Sequence, residues 1–123
     1  MEAMRKIKKL EEALEIFEDA AIKQSDAITQ KGSSKIANRN YDKISAVAQY
    51  LRENKLLPEL SVFYTHPNLS VRLWAAAYLL PVYEEKSIKI LEEIAKTEGF
   101  GALDAEMTIK EWKNGNLHDF YTL

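Results

Sequence analysis

The sequence predicts an all-α protein in which consecutive helices form stacked antiparallel hairpins. Apolar residues recur at helical spacings of three and four over six segments, and the two-residue alternation of a half-buried strand is absent. The connections between the segments are short, and short connections between helices produce antiparallel neighbours. A chain of 123 residues can bury roughly two-thirds of the surface that its unfolded form exposes. Residues 1–123 are therefore expected to form a single domain.

The first predicted helix covers residues 3–30. Its apolar stripe follows a 3,4,3,4,3,4 spacing and consists of Ile7, Leu10, Leu14, Phe17, Ala21, Gln24 and Ile28. Gly32 ends this helix, in a position that glycine prefers. Residues 1–31 are expected to cap the fold. The stripe approaches three heptads, so a homodimeric coiled coil through this helix is the alternative.

The second and third predicted helices follow directly. The second begins at a cap formed by Ser33 or Ser34 and runs to residue 54. Its inward face is predicted to contain Ile36, Ile44, Val47, Ala48 and Leu51. The third is short and ends near His66, with Pro58 in its first turn, where proline sacrifices no intrahelical hydrogen bond.

The fourth predicted helix, within residues 68–80, is apolar around nearly its whole circumference. Such a helix is normally buried between neighbours. Asn68 is its predicted N-cap. Pro81 is predicted to end or kink it, because the proline ring clashes with the carbonyl group of Ala77.

The last two predicted helices cover residues 85–97 and 102–113. The first of them ends at Gly99, and the second ends at Asn114-Gly115. Their inward faces are predicted to be Ile88, Leu91, Ile94 and Ala95 in the first, and Ala105, Ile109 and Trp112 in the second. Residues 116–123 form an apolar tail that is expected to fold back over the last hairpin.

The second, fourth and sixth predicted helices form a weak repeat at an offset of 29 residues. The aligned sets are Ile44 with Leu73 and Ala102, Val47 with Ala76 and Ala105, and Leu51 with Leu80 and Ile109. A repeat of this kind predicts an α-α superhelix of about three hairpins, in which each hairpin covers the apolar face of the one before.

Residues 66–80, HPNLSVRLWAAAYLL, resemble the turn and second helix of a HEAT repeat. The resemblance implies a HEAT/armadillo-like superhelix, and it implies that Arg72 ties neighbouring repeats together. A buried guanidinium group needs a partner. The candidate partners are Asp42, Asp104 and Glu106. Asn68 departs from the family pattern, which commonly has an aspartate there, and its neutral amide cannot serve as a full charge partner.

The C-terminal half carries a second resemblance. It extends from Val71-Arg72 through AAAYLLPVYEEKSIKILEEIAKTEG to the Glu111-Trp112-Lys113-Asn114-Gly115 ending. This half resembles the DUF2019 domain, a family of bacterial HEAT-like proteins. The resemblance implies a fold and no specific activity.

Three residues of the fourth predicted helix are candidates for an interaction surface: Arg72, Trp74 and Tyr78. Trp74 and Tyr78 are four residues apart and share one face. Packing between hairpins is the favoured interpretation. The alternative is an exposed patch for a protein partner, since tryptophan, tyrosine and arginine often anchor interfaces.

The second candidate surface is a basic ridge at the start of the second predicted helix, consisting of Lys31, Lys35, Arg39 and Lys43. Residues 23–55 contain seven basic and three acidic side chains, a local balance of +4. Such a ridge can contact nucleic-acid phosphates, although an ordinary solvated helix face is the favoured interpretation. Residues 84–111 contain eight acidic side chains and four lysines, a balance of −4.

The composition and the motifs exclude most chemistry. The chain lacks cysteine, its two histidines have no companion at metal-ligand spacing, and no glycine-rich phosphate loop is present. The net charge is −2, and the longest apolar run, residues 73–82, is far too short for a membrane span. We expect no enzymatic activity, no metal, no cofactor and no membrane contact. A cytoplasmic location is the simplest interpretation, because the N-terminus lacks a secretory pattern.

The leading functional hypothesis is a non-enzymatic protein-protein interaction module with an unidentified protein partner. A concrete version, based on analogy between folds, is an immunity-type protein that neutralises a toxin partner. The acidic 84–111 surface would then oppose a basic one. The alternative hypothesis is nucleic-acid binding through the basic ridge.

Overall fold

The computed structural model describes residues 9–29 and 34–117, and every regular element among them is helical. The elements are α1 (Leu10–Thr29), α2 (Ser34–Glu53), a 3₁₀ helix (Leu57–Thr65), α3 (Leu69–Tyr78), α4 (Glu84–Ala95) and α5 (Phe100–Lys113). This confirms the all-α class and the six predicted segments. Gly32, Ser33 and most of the apolar tail lie outside the described residues.

The chain divides into two compact units, Met1–Leu57 and Pro58–Leu123. The first contains α1 and α2, and the second contains the 3₁₀ helix and the remaining three α-helices. The single domain expected from the chain length stays a prediction.

The first unit is a pair of helices with a core rich in small residues. Its buried side chains are Ala13, Phe17, Ala20 and Ala21 of α1, and Ala37, Asn40, Ile44, Val47, Ala48 and Leu51 of α2. Alanines on both helices allow the backbones to approach closely around Phe17, which is fully buried. Among the predicted stripe residues of α1, Phe17 and Ala21 are buried, whereas Leu10, Leu14 and Gln24 are half-buried.

The prediction for the start of α2 was wrong at one position. Ile36 was expected to face inward, but it is 45% exposed, and Ala37 and Asn40 occupy the core instead. The apolar stripe of α2 is centred on Ile44 and Leu51, so at 100° per residue Ile36 falls on its edge. The amide nitrogen of Asn40 donates a hydrogen bond to the carbonyl oxygen of Ile36 at 2.9 Å, which satisfies one half of this buried amide.

Helix α2 ends in a Schellman motif without glycine. The N–H group of Leu56 donates to the carbonyl oxygen of Leu51 at 2.7 Å, and that of Lys55 donates to Arg52 at 3.2 Å. This motif requires a residue in the left-handed conformation just before Leu56. That residue is Lys55, with φ of 59°. A lysine in this conformation carries a steric cost that glycine avoids.

We expect Lys55→Gly to raise the free energy of unfolding by about 0.5–1 kcal/mol, because relief of the left-handed strain exceeds the entropy that glycine adds to the unfolded chain. Urea denaturation followed by circular dichroism measures the change. Gly115→Ala is the converse control, since Gly115 has φ of 76° after α5 and alanine there should cost about 1–2 kcal/mol. A loss of stability in Lys55→Gly would contradict the prediction.

The second unit is organised around α3, which is buried on most of its surface as predicted. Six of its residues are buried, from Val71 to Tyr78. Asn68 is confirmed as the N-cap, because its side-chain oxygen accepts hydrogen bonds from the N–H groups of Ser70 at 2.9 Å and Val71 at 3.1 Å. The helix ends at Tyr78, before Pro81, as the proline requires.

Two contacts fix the directions of the helices in the second unit. The indole N–H of Trp112, at the end of α5, donates to the carboxylate of Glu84, at the start of α4, at 2.7 Å. Helices α4 and α5 are therefore antiparallel. A Cβ atom added to Gly101 would come within 2.8 Å of the side chain of Leu69, so the starts of α3 and α5 lie together. Helices α3, α4 and α5 thus run up, down and up.

The connection between α4 and α5 differs from the prediction in the role of Gly99. The sequence placed Gly99 at the end of the preceding helix, whereas α4 already ends at Ala95 with Lys96 as its C-cap. Gly99 is the N-cap of α5, with φ of 102°, a conformation that favours glycine. The end of α5 matches the prediction: Gly115 and Asn116 bond back to Trp112 and Glu111.

A buried polar pair lies between the 3₁₀ helix and α4. The hydroxyl groups of Tyr64 and Ser87 are 2.7 Å apart, and Ser87 is fully buried. Burial raises the pKa of the Tyr64 hydroxyl, and the hydrogen bond with Ser87 partly offsets this rise. The ammonium group of Lys86 lies 5.6 Å from the centre of the Tyr64 ring. Burial of Tyr64 therefore favours a protonated tyrosine in the folded state.

We expect the burial of Tyr64 to make stability fall at high pH. Because the folded state raises the pKa of Tyr64, the unfolded chain loses this proton first, so stability is full below about pH 10 and declines as the pH rises through the folded pKa. The stability difference between wild type and Tyr64→Phe should shrink between neutral pH and high pH in urea titrations. Tyr41→Phe, at an exposed tyrosine, is the control, and a constant difference for Tyr64→Phe would contradict the expectation.

Candidate functional site

The basic ridge is solvent-facing on α2. Lys35 and Arg39 are exposed and Lys43 is half-buried, while Lys31 lies outside the described residues. Within the first unit, no ion pair is found for Arg39 or Lys43 among the described residues. Tyr41 is 41% exposed on the same helix. The ridge therefore offers positive charge with one nearby aromatic side chain.

The aromatic pair of α3 is divided between core and surface. The rings of Trp74 and Tyr78 stack with their centres 6.1 Å apart and their planes 25° from parallel. Tyr78 is 2% exposed and belongs to the core, whereas Trp74 is half-buried. Packing within the protein accounts for Tyr78. Trp74 alone retains area that a partner could contact.

The expected ion pairs of Arg72 with Asp104 and Glu106 are absent among the described residues of the second unit. The reason is geometric, because both carboxylates are exposed on α5, while the Nε atom of Arg72 is buried without a hydrogen-bond partner. Burial raises the pKa of Asp104, with no cation to lower it. The prediction that Arg72 pairs with Asp104 or Glu106 was therefore wrong. Asp42 belongs to the first unit.

Sequence reasoning missed an exposed apolar pair on α5. Leu103 is 58% exposed and Met107 is 60% exposed, and the two lie one helical turn apart. They occupy the side of α5 opposite the buried Ala102 and Ala105. The sequence signal was present: α5 carries two apolar stripes, and only the one containing Ala105 was assigned.

Acidic side chains flank this pair. At 100° per residue, Asp104 lies on one side of the Leu103–Met107 line and Glu106 lies on the other, and both are exposed. Lys110 lies one turn beyond both Glu106 and Met107, so one lysine stands at the C-terminal end of this group. We call Leu103, Asp104, Glu106 and Met107 the outer face of α5.

The outer face belongs to a wider acidic surface. The eight acidic residues are Glu84, Glu85, Glu92, Glu93, Glu98, Asp104, Glu106 and Glu111, and all except the half-buried Glu111 are exposed. In the described part of the second unit none of them forms an ion pair, although Glu84 and Glu111 accept hydrogen bonds from Trp112 and Asn116. Four lysines lie in the same segment, so this surface keeps a net charge of −4 without a close ion pair among the described residues.

A groove of about 890 Å³ lies at the start of α4. Its lining includes Tyr83, Glu84, Glu85, Lys86, Ile88 and Lys89. Tyr83 is 44% exposed. The charges around the groove are mixed, so it presents no preference for a ligand of one sign.

No group of three or more metal-ligating side chains was found within 9–29 and 34–117. No helix in the same ranges is long and apolar enough to cross a membrane.

Residues 11–112 match the family described as a domain of unknown function, DUF2019. The chain belongs to the DUF2019 family. This confirms the resemblance noted in the C-terminal half and extends it to most of the chain. The match covers α1 and α2 as well as α3 to α5, so the family includes both units.

A solved structure supports the fold of this DUF2019 chain. It is similar to the crystal structure of the protein RPA1889 from Rhodopseudomonas palustris CGA009, with a TM-score of 0.80 and 25% sequence identity. The similarity covers 89% of this chain and 96% of that one. No curated protein matches the chain.

Proposed function

We propose that this DUF2019 protein is a non-enzymatic protein-protein interaction module of the bacterial cytoplasm. The observation that carries the proposal is the pair of exposed apolar side chains, Leu103 and Met107, on a helix whose opposite side forms the core. Contiguous apolar area at a surface is costly in water and is commonly retained for a partner. The half-buried Trp74 adds a second residue type that often anchors interfaces.

The architecture proposed for this module is a HEAT-like α-α superhelix. Support comes from the up, down and up order of α3, α4 and α5, and from the capped turn at Asn68 that precedes Val71 and Arg72. The concrete function that we propose is that of an immunity-type protein whose acidic surface opposes a basic toxin. The excess of eight carboxylates over four lysines in residues 84–111 supports this version.

A capture experiment tests the proposal. The tagged full-length chain is mixed with lysate of the bacterium that encodes it, with and without nuclease, beside an Arg39→Glu/Lys43→Glu variant. We expect one protein partner that survives nuclease and is retained by the variant. The partner must then form a stoichiometric complex with the chain when both are purified. Failure to obtain such a complex would reject the interaction module.

Nucleic-acid binding is the second candidate, and the exposure of Lys35 and Arg39 on one face of α2 favours it. In that case capture should yield nucleic acid that the Arg39→Glu/Lys43→Glu variant loses. Binding should also weaken steeply with salt, because each phosphate contact releases counterions. A homodimer through the N-terminal helix is a separate prediction, and sedimentation of the purified chain distinguishes it from a monomer.

A further inference from the structure

We propose that the outer face of α5 is a docking site for a basic amphipathic helix of a protein partner. This inference rests on the proposed function and names the chemistry of the partner. It follows from two features of the same surface: an exposed apolar pair, and carboxylates on both sides of that pair.

The apolar part of the site fits a helix. Leu103 and Met107 are about 6 Å apart along α5, one turn of rise, and both are more than half exposed. A ridge of this length matches apolar side chains placed three or four residues apart on a partner helix. Methionine adapts to irregular partner surfaces because its side chain is unbranched and polarisable.

The charges around Leu103 and Met107 favour a positively charged partner. Asp104 and Glu106 lie on opposite sides of the apolar line, and neither is compensated by an ion pair among the described residues of the second unit. A helix with lysine or arginine beside its apolar stripe would place cations against both carboxylates. Burial raises the pKa of Asp104 although its side chain is exposed, and a cation beside it would favour the charged form.

The same charges disfavour a second copy of this chain on the outer face. A symmetric contact between two α5 helices would place Asp104 and Glu106 of one copy against the same carboxylates of the other. Like charges in an interface cost free energy and suppress that pairing. The partner is therefore expected to be a basic helix of a different protein.

The probe is a fluorescent synthetic helix of about 18 residues, with leucine on one face and lysine on the other. The control peptide has the same leucines and glutamate in place of lysine. Fluorescence anisotropy measures binding to the full-length chain at several ionic strengths. We expect saturable binding of the lysine peptide that weakens with salt, and no binding of the glutamate peptide.

Two pairs of variants locate the site. Leu103→Ser/Met107→Ser is expected to weaken binding by about tenfold or more. Val62→Ser, at a residue that is 57% exposed on the 3₁₀ helix, should leave affinity within about twofold. Asp104→Lys/Glu106→Lys should also weaken binding by about tenfold or more, because it places cations against the lysines of the peptide. Glu11→Lys/Glu15→Lys makes the same change in net charge at two exposed carboxylates of α1, outside residues 84–111, and controls for general electrostatic attraction.

Each outcome of these binding experiments either supports or overturns the proposed docking site. Loss confined to the two outer-face variants supports it, provided that circular dichroism shows them folded. Equal loss in the α1 control, equal binding of the glutamate peptide, or no saturable binding of the lysine peptide would overturn it. If lysate capture yields a protein partner that both outer-face variants retain, the inference fails while the interaction module stands.

Discussion

Replacing Phe17 with alanine is expected to lower the free energy of unfolding by about 3–5 kcal/mol. Phe17 is fully buried and is the largest side chain in the core of the first unit, where most of its neighbours on α1 are alanines. Because small residues on rigid helices cannot move far enough to fill the space, a cavity remains. Urea denaturation followed by circular dichroism measures the loss.

The control for this change lies on the same helix. Glu15 is exposed on α1, and Glu15→Ala should alter the free energy of unfolding by no more than about 0.5 kcal/mol. A cost below about 1 kcal/mol for Phe17→Ala would mean that the two-helix core is not closed around this ring.

The second large effect contrasts two leucines of the second unit. Leu91 is fully buried on α4, whereas Leu103 is 58% exposed on α5. Leu91→Ala should lower the free energy of unfolding by about 2–5 kcal/mol. The change removes the transfer free energy of the buried side-chain atoms and also leaves a cavity. Leu103→Ala should change stability by no more than about 0.5 kcal/mol. Denaturation of the two variants under identical conditions measures the difference.

The stability of Leu103→Ala also tests whether the outer face of α5 is open for docking. If Leu103→Ala costs more than about 1.5 kcal/mol, Leu103 is covered in solution and the outer face of α5 is not open. If its cost is near zero while peptide binding is lost, the leucine contributes to recognition without contributing to the fold. The two measurements together separate a structural role from an interaction role.

Much of the fold was predictable because it depends on local chemistry. Asn68 caps α3 through its own side chain, Pro81 limits the same helix sterically, and Gly115 follows α5 in a left-handed conformation. Each of these effects involves residues within one turn of one another. The apolar period likewise identifies a helix whatever it packs against.

The errors arose where the choice depended on neighbours distant in sequence. Ile36 and Ala37 are both apolar, and only the packing of α2 on α1 decides which of them is buried. Lys55 adopts a left-handed backbone conformation, which the residue type does not predict because positive φ is uncommon outside glycine. Arg72 looked like one end of an ion pair, but the exposure of Asp104 and Glu106 depends on how α5 is rotated about its axis.

The candidate site was harder to predict than the fold. The basic ridge was recognisable because charge on an exposed helix face needs no tertiary information. The outer face of α5 was not recognisable from the sequence. Leu103 and Met107 are both apolar, and an apolar residue in a helical pattern is ordinarily assigned to the core. Their significance comes from being apolar and exposed together, and exposure is a property of the folded chain.

The neighbour-to-neighbour packing of the helices also has a kinetic consequence. Within each unit, α1 packs on α2, α3 on α4, and α4 on α5, so most contacts join segments that are close along the chain. Little loop entropy is lost before such contacts form. Proteins with this low contact order fold on the order of microseconds to milliseconds. The exposed leucine and methionine of α5 are therefore presented to a partner almost as soon as the chain leaves the unfolded state.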